Sequence, residues 1–355
     1  MGSEKRNDAE SDAVALVNGI LSDAVAAEAS DVYWIPCADE CRIRVRAGGV
    51  QRDLRTIRGA DFIARCAARI KVLAGMLTYR SKISQDGAIR GGPELDNAEF
   101  RVATMPTWHG ERITLRLLGR KLVGRTLDDL GFSPEVCRTL RAMLRPPGGL
   151  IVLTGPTGCG KTTTIYAMIR ELVETQADPS SIITVEDPVE TVFPDISQVS
   201  LTRSGERWNY PEALMAALRQ DVKTLVIGEI RDSQVAHVVL NAALSGHRVI
   251  TTLHAGDIPG VYARLLHQGL EAFLVASAIT GVVSQRLALN ATGERRIPVA
   301  ATLVPDDAWR DFVTAKPALS ELRRRIQDYP CADIQAVANR MAANNLIPKR
   351  EALVI

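Results

Sequence analysis

The chain has 355 residues, with 43 Lys and Arg against 41 Asp and Glu, and 46% of it is hydrophobic. That length accommodates about two domains of ordinary globular composition, and a net charge of +2 gives no global footprint of a nucleic-acid or membrane-surface binder. The six cysteines are scattered; Cys37 and Cys41 form a lone C-x-x-x-C, short of the four clustered ligands of a zinc site, and read as free thiols of a reducing cytosol.

Asp8, Glu10 and Asp12 precede the first apolar stretch, so no signal peptide is expected. The longest weakly polar run, Phe273 to Ser284, is well short of the roughly 18 residues a membrane-spanning helix needs. A cytoplasmic protein is expected, with membrane contact only through partners. Residues 1–12 are polar and expected to fray. Apolar residues at 14, 17, 20, 21, 24 and 25 predict a helix over Ala13–Ala29. Strands are predicted at Asp31–Pro36 and Arg42–Val45, with Gly48-Gly49 as a turn. A helix follows over Asp61–Met76, then strands at Glu99–Met105 and Arg112–Leu118, the last alternating Ile113, Leu115 and Leu117 with Arg112, Thr114 and Arg116. Together these make a small α+β domain.

Gly119 to Thr126 (GRKLVGRT) is basic, carries two glycines and has no apolar period, so it reads as a short linker. The domain boundaries are accordingly set at 1–118, 119–128 and 129–355. Beyond it a helix over Pro134–Leu144 ends at Pro146-Pro147-Gly148-Gly149. Apolar strands at 150–154, 182–186, 224–230 and 248–254 then alternate with helices beginning near 160, 211, 233 and 261. This pattern predicts an α/β domain with a parallel sheet covered on both faces. From Phe273 onward a helical C-terminal end is expected, through Leu319–Ile326 to Ile334–Ala343.

The stretch GLIVLTGPTGCGKTT (149–163) contains Gly155, Pro156, Thr157, Gly158, Cys159, Gly160, Lys161, Thr162 and Thr163 in the spacing of a phosphate-binding loop, after a strand and before a helix. Its backbone N–H groups are expected to cradle phosphate oxygens. Lys161 would reach the β/γ-phosphates, and the Thr162 hydroxyl would bind Mg²⁺. TLVIGEIRD (224–232) carries Glu229 at a strand end, where a carboxylate would sit beside the metal and the attacking water. ITVEDPVE (183–190) supplies Glu186, Asp187 and Glu190. All carboxyl ends of a parallel sheet lie on one edge, so Glu186 and Glu229 are expected to converge there, one polarising water and the other serving the metal shell. A solvated acidic turn is the simpler account of that cluster.

GHRVITTLHAGD (246–257) places His247 and His254 at opposite ends of a strand. Seven extended residues span about 23 Å, so one metal ion cannot bind both. His254 falls at the carboxyl end, as a candidate γ-phosphate sensor or water-orienting group. His247 reads by default as structural.

GPTGCGKTTT, ITVEDPVE, LRQDVKTLVIGEIRD and GHRVITTLHAGD, in this order, resemble the Walker A, Asp box, Walker B and His box of the secretion-ATPase superfamily, which drives type II secretion and type IV pilus assembly and retraction. ISQDGAIR (83–90) and FRVATMPTWHGERITLRLL (100–118) are similar to that family's strands before the linker. The resemblance implies a RecA-like ATPase domain behind a PAS-like N-terminal domain, ATP and Mg²⁺ as cofactors, a homo-hexamer, and an inner-membrane platform protein as partner. It also implies that Arg101 and Arg116 reach ATP from the N-terminal domain, with Arg112 a weaker candidate; by residue type alone they read equally as a solvated strand face.

Ser284-Gln285-Arg286-Leu287 runs on without the four-cysteine zinc lobe of the assembly and secretion branch, the retraction branch's C-terminal helix motif is missing, and DVYWIP (31–36) replaces the usual DIHIEP. The branch stays open. An ATP-driven nucleic-acid translocase is the alternative, but it would need a basic groove or stacking aromatics, and aromatics are 5% of the chain. A small-molecule kinase would leave the N-terminal domain unexplained. A non-catalytic scaffold would have no use for the intact loop and both acids.

Overall fold

The computed structural model describes residues 2–118, 125–176, 178–203, 206–207 and 209–355. The chain divides into two compact units, Met1–Lys121 and Leu122–Ile355. Of the predicted linker, residues 119–124 lie outside the described residues.

The first unit contains α1 (Gly2–Ala26), β1 (Ala29–Pro36), β2 (Glu40–Ala47), β3 (Val50–Arg58), α2 (Ala60–Leu73), β4 (Gln85–Arg90), β5 (Glu99–Thr107) and β6 (Gly110–Leu118). The strands form one antiparallel sheet in the order β3-β2-β1-β6-β5-β4. Alternation decides its faces: Cys41, Ile43 and Val45 of β2 are buried, while Arg42, Arg44 and Arg46 point away. The apolar face packs Trp34, Phe100, Val102, Ile113 and Leu115 against Val17 and Leu21 of α1 and Cys66 and Ile70 of α2. The polar face is laced with ion pairs, Arg42–Glu40 at 2.9 Å and Arg44–Asp53 at 2.5 Å among them.

Two predictions for this unit change. The first helix starts at Gly2 rather than after residue 12, because Glu4, Lys5 and Arg6 are good helix formers that extend the apolar segment. Strand β3 was not predicted. Its sequence VQRDLRTIR is dominated by charge, and its position at the sheet's edge asks for little apolar side chain.

A buried ion pair ties this unit together. Lys71 of α2 is fully buried, and its ammonium donates to Glu111 of β6 at 2.8 Å and to the Arg80 carbonyl at 3.0 Å. Gln85 grips the same segment, accepting from Leu77 N and donating to the carbonyls of Leu77 and Arg80.

The second unit contains α3 (Pro134–Leu144), β7 (Gly149–Thr154), α4 (Lys161–Thr175), β8 (Ile182–Glu186), β9 (Ser197–Ser200), the short ribbon β10 (Thr202–Arg203) and β11 (Glu206–Arg207), α5 (Tyr210–Ala217), β12 (Thr224–Ile227), α6 (Ser233–Leu244), β13 (Arg248–Leu253), α7 (Ile258–His267), α8 (Ala272–Ala278), β14 (Ile279–Leu289), β15 (Arg296–Leu303) and α9 to α12 (Asp307–Thr314, Leu319–Arg325, Ile334–Ala343, Lys349–Ala352). Among the described residues the main sheet has seven strands in the order β15-β14-β7-β13-β12-β8-β9. All neighbours are parallel except β14 and β15.

Successive residues of each buried strand serve opposite layers. Leu150 and Val152 face the core of α5, α6 and α7, while Ile151 and Leu153 face that of α3 and α4. Helix starts follow their capping residues: Ser133, Asn209, Asp232 and Asp257 each accept a hydrogen bond from the first turn behind them.

The end of the domain corrects the predicted helical run. Residues 279–289 and 296–303 are strands, and helices resume only at Asp307. A strand buried on both faces shows no alternation, so periodicity cannot separate ITGVVSQRLAL from a buried helix. Because β15 returns antiparallel, the sheet is mixed rather than parallel. The strand predicted over 224–230 ends at Ile227. There the chain leaves the ladder, Gly228 N bonding to Val185 O and Ile230 N to Thr252 O.

Replacing Lys71 with Met leaves the Glu111 carboxylate without its buried partner. The expected cost is about 3 kcal/mol, read in the whole chain as lost hydrogen-exchange protection of β5 and β6 amides relative to β7.

Candidate nucleotide-binding site

Strand β7 is buried along its whole length and ends at Thr154. The loop that follows turns back so tightly that Gly155 has φ +144°, and a Cβ there would lie 2.3 Å from the Gln285 carbonyl. Gly160, the residue before α4, is left-handed at φ 91°. Pro156, Thr157, Gly158 and Thr162 are exposed, Thr163 is half-buried and Cys159 is buried. Lys161 bends over its own loop, its ammonium donating to the carbonyls of Gly155 at 2.9 Å and Pro156 at 3.0 Å. A glycine-lined concavity at a helix N-terminus with a lysine across its mouth suits an anionic phosphate chain.

Threonines fix the neighbouring strand ends. Thr154 Oγ1 lies 2.8 Å from the carbonyls of both Leu253 and Ala255, which share its single proton, and accepts from Ala255 N. Thr252 Oγ1 donates to Gly228 O at 2.7 Å. These bonds tether the loops after β12 and β13 beside the phosphate loop. They also bring two of the predicted residues together, His254 Nε2 lying 3.0 Å from Glu229 Oε2. The other Glu229 oxygen accepts from Arg231 Nε. Arg231 also pairs with Asp187 at 3.5 Å and stacks over the Tyr210 ring at 5.4 Å. Both Glu229 oxygens are thus oriented, and each keeps a lone pair for a water or a cation. The Thr162 hydroxyl and the Glu229 carboxylate are hard oxygen donors, the ligand type Mg²⁺ takes.

Glu186 sits differently. Its strand neighbours β12, with Val185 opposite Ile227, but the carboxylate is buried. It accepts from Tyr166 Oη at 2.5 Å, Thr184 Oγ1 at 2.5 Å and Gln198 Nε2 at 3.1 Å. Burial, then the Glu186 charge, push the Tyr166 phenol far above its usual range, so it stays a donor. Among the described residues these three donors are its side-chain partners, and the adjacent Asp187 is the acid that reaches Arg231.

His247 lies at the other edge of the sheet. Its backbone N and Nδ1 both approach the Ala242 carbonyl at 3.1 Å, closing the end of α6, and its own carbonyl accepts from Gly149 N. It borders a cavity of about 370 Å³ together with Lys223 and Arg248.

In the first unit, Arg101 and Arg116 face each other across β5 and β6. Arg116 is exposed yet donates to Asp31 at 3.0 Å, while Arg101 is exposed on its strand. Arg112 lies opposite Met105 on the same pair of strands.

Three residues around the site were not singled out from sequence: Arg231, Tyr166 and Gln285. Arg231 stands inside the quoted GEIRD, two positions past Glu229, and that spacing was its available signal. The partners of Tyr166 and Gln285 are 20 and more than 120 residues away in the chain; Gln285 stands in the quoted 284–287 segment, but no local pattern shows what either side chain meets.

The Type II/IV secretion system protein family matches residues 6–344. The chain is 38% identical over 297 residues to the type II secretion system protein HxcR of Pseudomonas aeruginosa, covering 84% of this chain and 61% of that protein. It is 38% identical over 283 residues to the type IV pilus assembly ATPase PilB of Myxococcus xanthus, covering 78% and 48%. The chain thus spans about half to three-fifths of the length of these curated relatives. The X-ray structure of the Legionella pneumophila ATPase DotB superposes with a TM-score of 0.78 at 21% identity, over 94% of this chain and 93% of that one, a likeness of fold. With the profile matching almost end to end, the chain belongs to the Type II/IV secretion system protein family.

Proposed function

We propose that this chain is an ATP-hydrolysing motor subunit of a type II secretion or type IV pilus machine. The observation that carries the reading is the pairing of Glu229 with His254 on the same sheet edge as the glycine loop and Lys161. Gly155 to Thr163 bind the phosphates of ATP, with Thr162 and Glu229 as the oxygen ligands of Mg²⁺, which when bound would neutralise phosphate charge. Glu229, held by His254 and Arg231, orients the attacking water and accepts its proton. His254 registers the γ-phosphate through that carboxylate. Glu186 supports the site from within the strand layer, through the Tyr166 hydroxyl on α4.

In this reading the second unit is the RecA-like ATPase domain and the first a PAS-like domain whose Arg101 and Arg116 are assigned to ATP binding. Arg116 would exchange its Asp31 contact for the nucleotide. Six copies form a ring in the cytoplasm and act on an inner-membrane platform protein to add or remove pilin-like subunits. Among the described residues no helix is long and apolar enough to cross a membrane. The name of the Myxococcus xanthus relative, a pilus assembly ATPase, supports the activity.

Steady-state ATPase assays test the site. Lys161→Ala should abolish detectable ATP binding. Glu229→Gln should keep binding but lose turnover by about a hundredfold or more; near wild-type turnover in either variant overturns the assignment. His254→Ala should cut turnover with little change in ATP affinity, measured by titration with a fluorescent analogue. If affinity collapses instead, the histidine holds the fold rather than the reaction geometry. Stimulation of hydrolysis by DNA would move the reading to a nucleic-acid translocase.

A further inference from the structure

The segment Ser284-Gln285-Arg286-Leu287 lies on β14, the strand beside β7, with Ser284 opposite Thr154. Gln285 therefore stands level with the start of the phosphate loop. It is 2% exposed, and each end of its amide is engaged. Nε2 donates to the Cys159 carbonyl at 2.7 Å, and Oε1 accepts from Thr164 Oγ1 at 2.9 Å. The carbonyl of Cys159 only accepts, so the amide must present its NH₂ there. The Thr164 hydroxyl then meets the oxygen. The loop is moulded around this side chain, since a Cβ on Gly160 would lie 2.9 Å from Nε2.

The bond has a geometric consequence. Asp187–Pro188 is cis, while Cys159–Gly160 is an ordinary trans peptide, and a trans peptide directs its N–H opposite to its C=O. Holding the Cys159 carbonyl against Gln285 turns the Gly160 N–H to the other side, the side that faces away from β14. We infer that Gln285 is a positioning residue of the phosphate loop, fixing the Cys159–Gly160 peptide so that its N–H is aimed at bound phosphate before the nucleotide arrives. The inference rests on the nucleotide site proposed above and adds a residue to it. Arg286 extends the strut. A Cβ on Gly155 would lie 3.1 Å from Arg286 Nη1, and the guanidinium donates to the Gly256 carbonyl, two residues past His254. The same dipeptide therefore holds the phosphate loop and the histidine loop in fixed relation.

The test uses the full chain, a fluorescent ADP analogue and steady-state ATPase kinetics. Gln285→Glu keeps the shape but sets a carboxylate oxygen against the Cys159 carbonyl. ADP affinity should fall about tenfold, the worth of one preorganised hydrogen bond turned into a repulsion. KM for ATP should rise to match, with kcat at saturation within about twofold. Gln285→Met, similar in volume and without a donor, should show the same split. Thr164→Val leaves Gln285 in place but frees its amide to rotate; a loss of about threefold is expected, and it carries the test if position 285 tolerates no change. A variant that melts earlier yet binds ADP with wild-type affinity makes Gln285 mere packing and overturns the inference. Lys161→Ala separates the two claims. Loss of ADP binding there with unchanged binding in Gln285→Glu and Thr164→Val refutes the positioning role alone, whereas a wild-type chain that binds no ADP refutes the nucleotide site itself.

Discussion

Parallel strands deliver their carboxyl ends to one edge, and the second unit depends on that single fact. With β7, β13, β12 and β8 hydrogen-bonded in parallel, the glycine loop, His254, Glu229 and Glu186 must emerge on the same side, although nearly a hundred residues separate Lys161 from His254. The register refines the placement. Thr154 lies opposite Leu253, and Ile227 opposite Thr251, so β13 stands between the phosphate loop and the acid. Its terminal residues are the ones that can touch both sides, and Thr252 and His254 do this on the acid side while the Thr154 hydroxyl answers from β7.

Burial then separates groups that share an edge. Glu186 and Glu229 are the same residue type at the ends of adjacent strands. Glu186 is enclosed by three donors and supports α4 through Tyr166. Glu229 keeps partial exposure and is held between Arg231 and His254. An enclosed carboxylate that meets three donors has a stabilising task, because leaving any of those donors unmet would cost free energy. A partly solvated carboxylate fixed by two cationic or polar neighbours has room for a water molecule. The chemistry of the site follows from solvent access more than from residue identity.

The first unit obeys another constraint. Its sheet has one apolar face, covered by α1 and α2, so every second residue on each strand is left for solvent or for partners. That face is rich in arginine, and acids from neighbouring strands compensate much of it: Asp31 alone lies within ion-pair distance of Arg46 and Arg116. Lys71, by contrast, is carried inside, where Glu111 and the Arg80 carbonyl complete its hydrogen bonds. Its role is to pin the segment after α2 against β6.

The sequence by itself determined the four blocks, their order, and the strand–loop–helix context of the phosphate loop, because glycine spacing, apolar runs and capping residues act over a few neighbouring positions. It also placed His247 and His254 at opposite ends of one strand, since extended backbone has a fixed rise. It did not reveal β14 and β15: ITGVVSQRLAL, buried on both faces, carries no period that distinguishes strand from helix. Nor did charge-rich β3 announce itself. Only the tertiary structure decided which acid is enclosed and which is open, that Arg231 joins Glu229 to Asp187, and that Gln285 of β14 grips a loop over 120 residues earlier in the chain. Those contacts join residues distant in sequence through strand register, and register is settled by the packing of the whole sheet rather than by any segment of it.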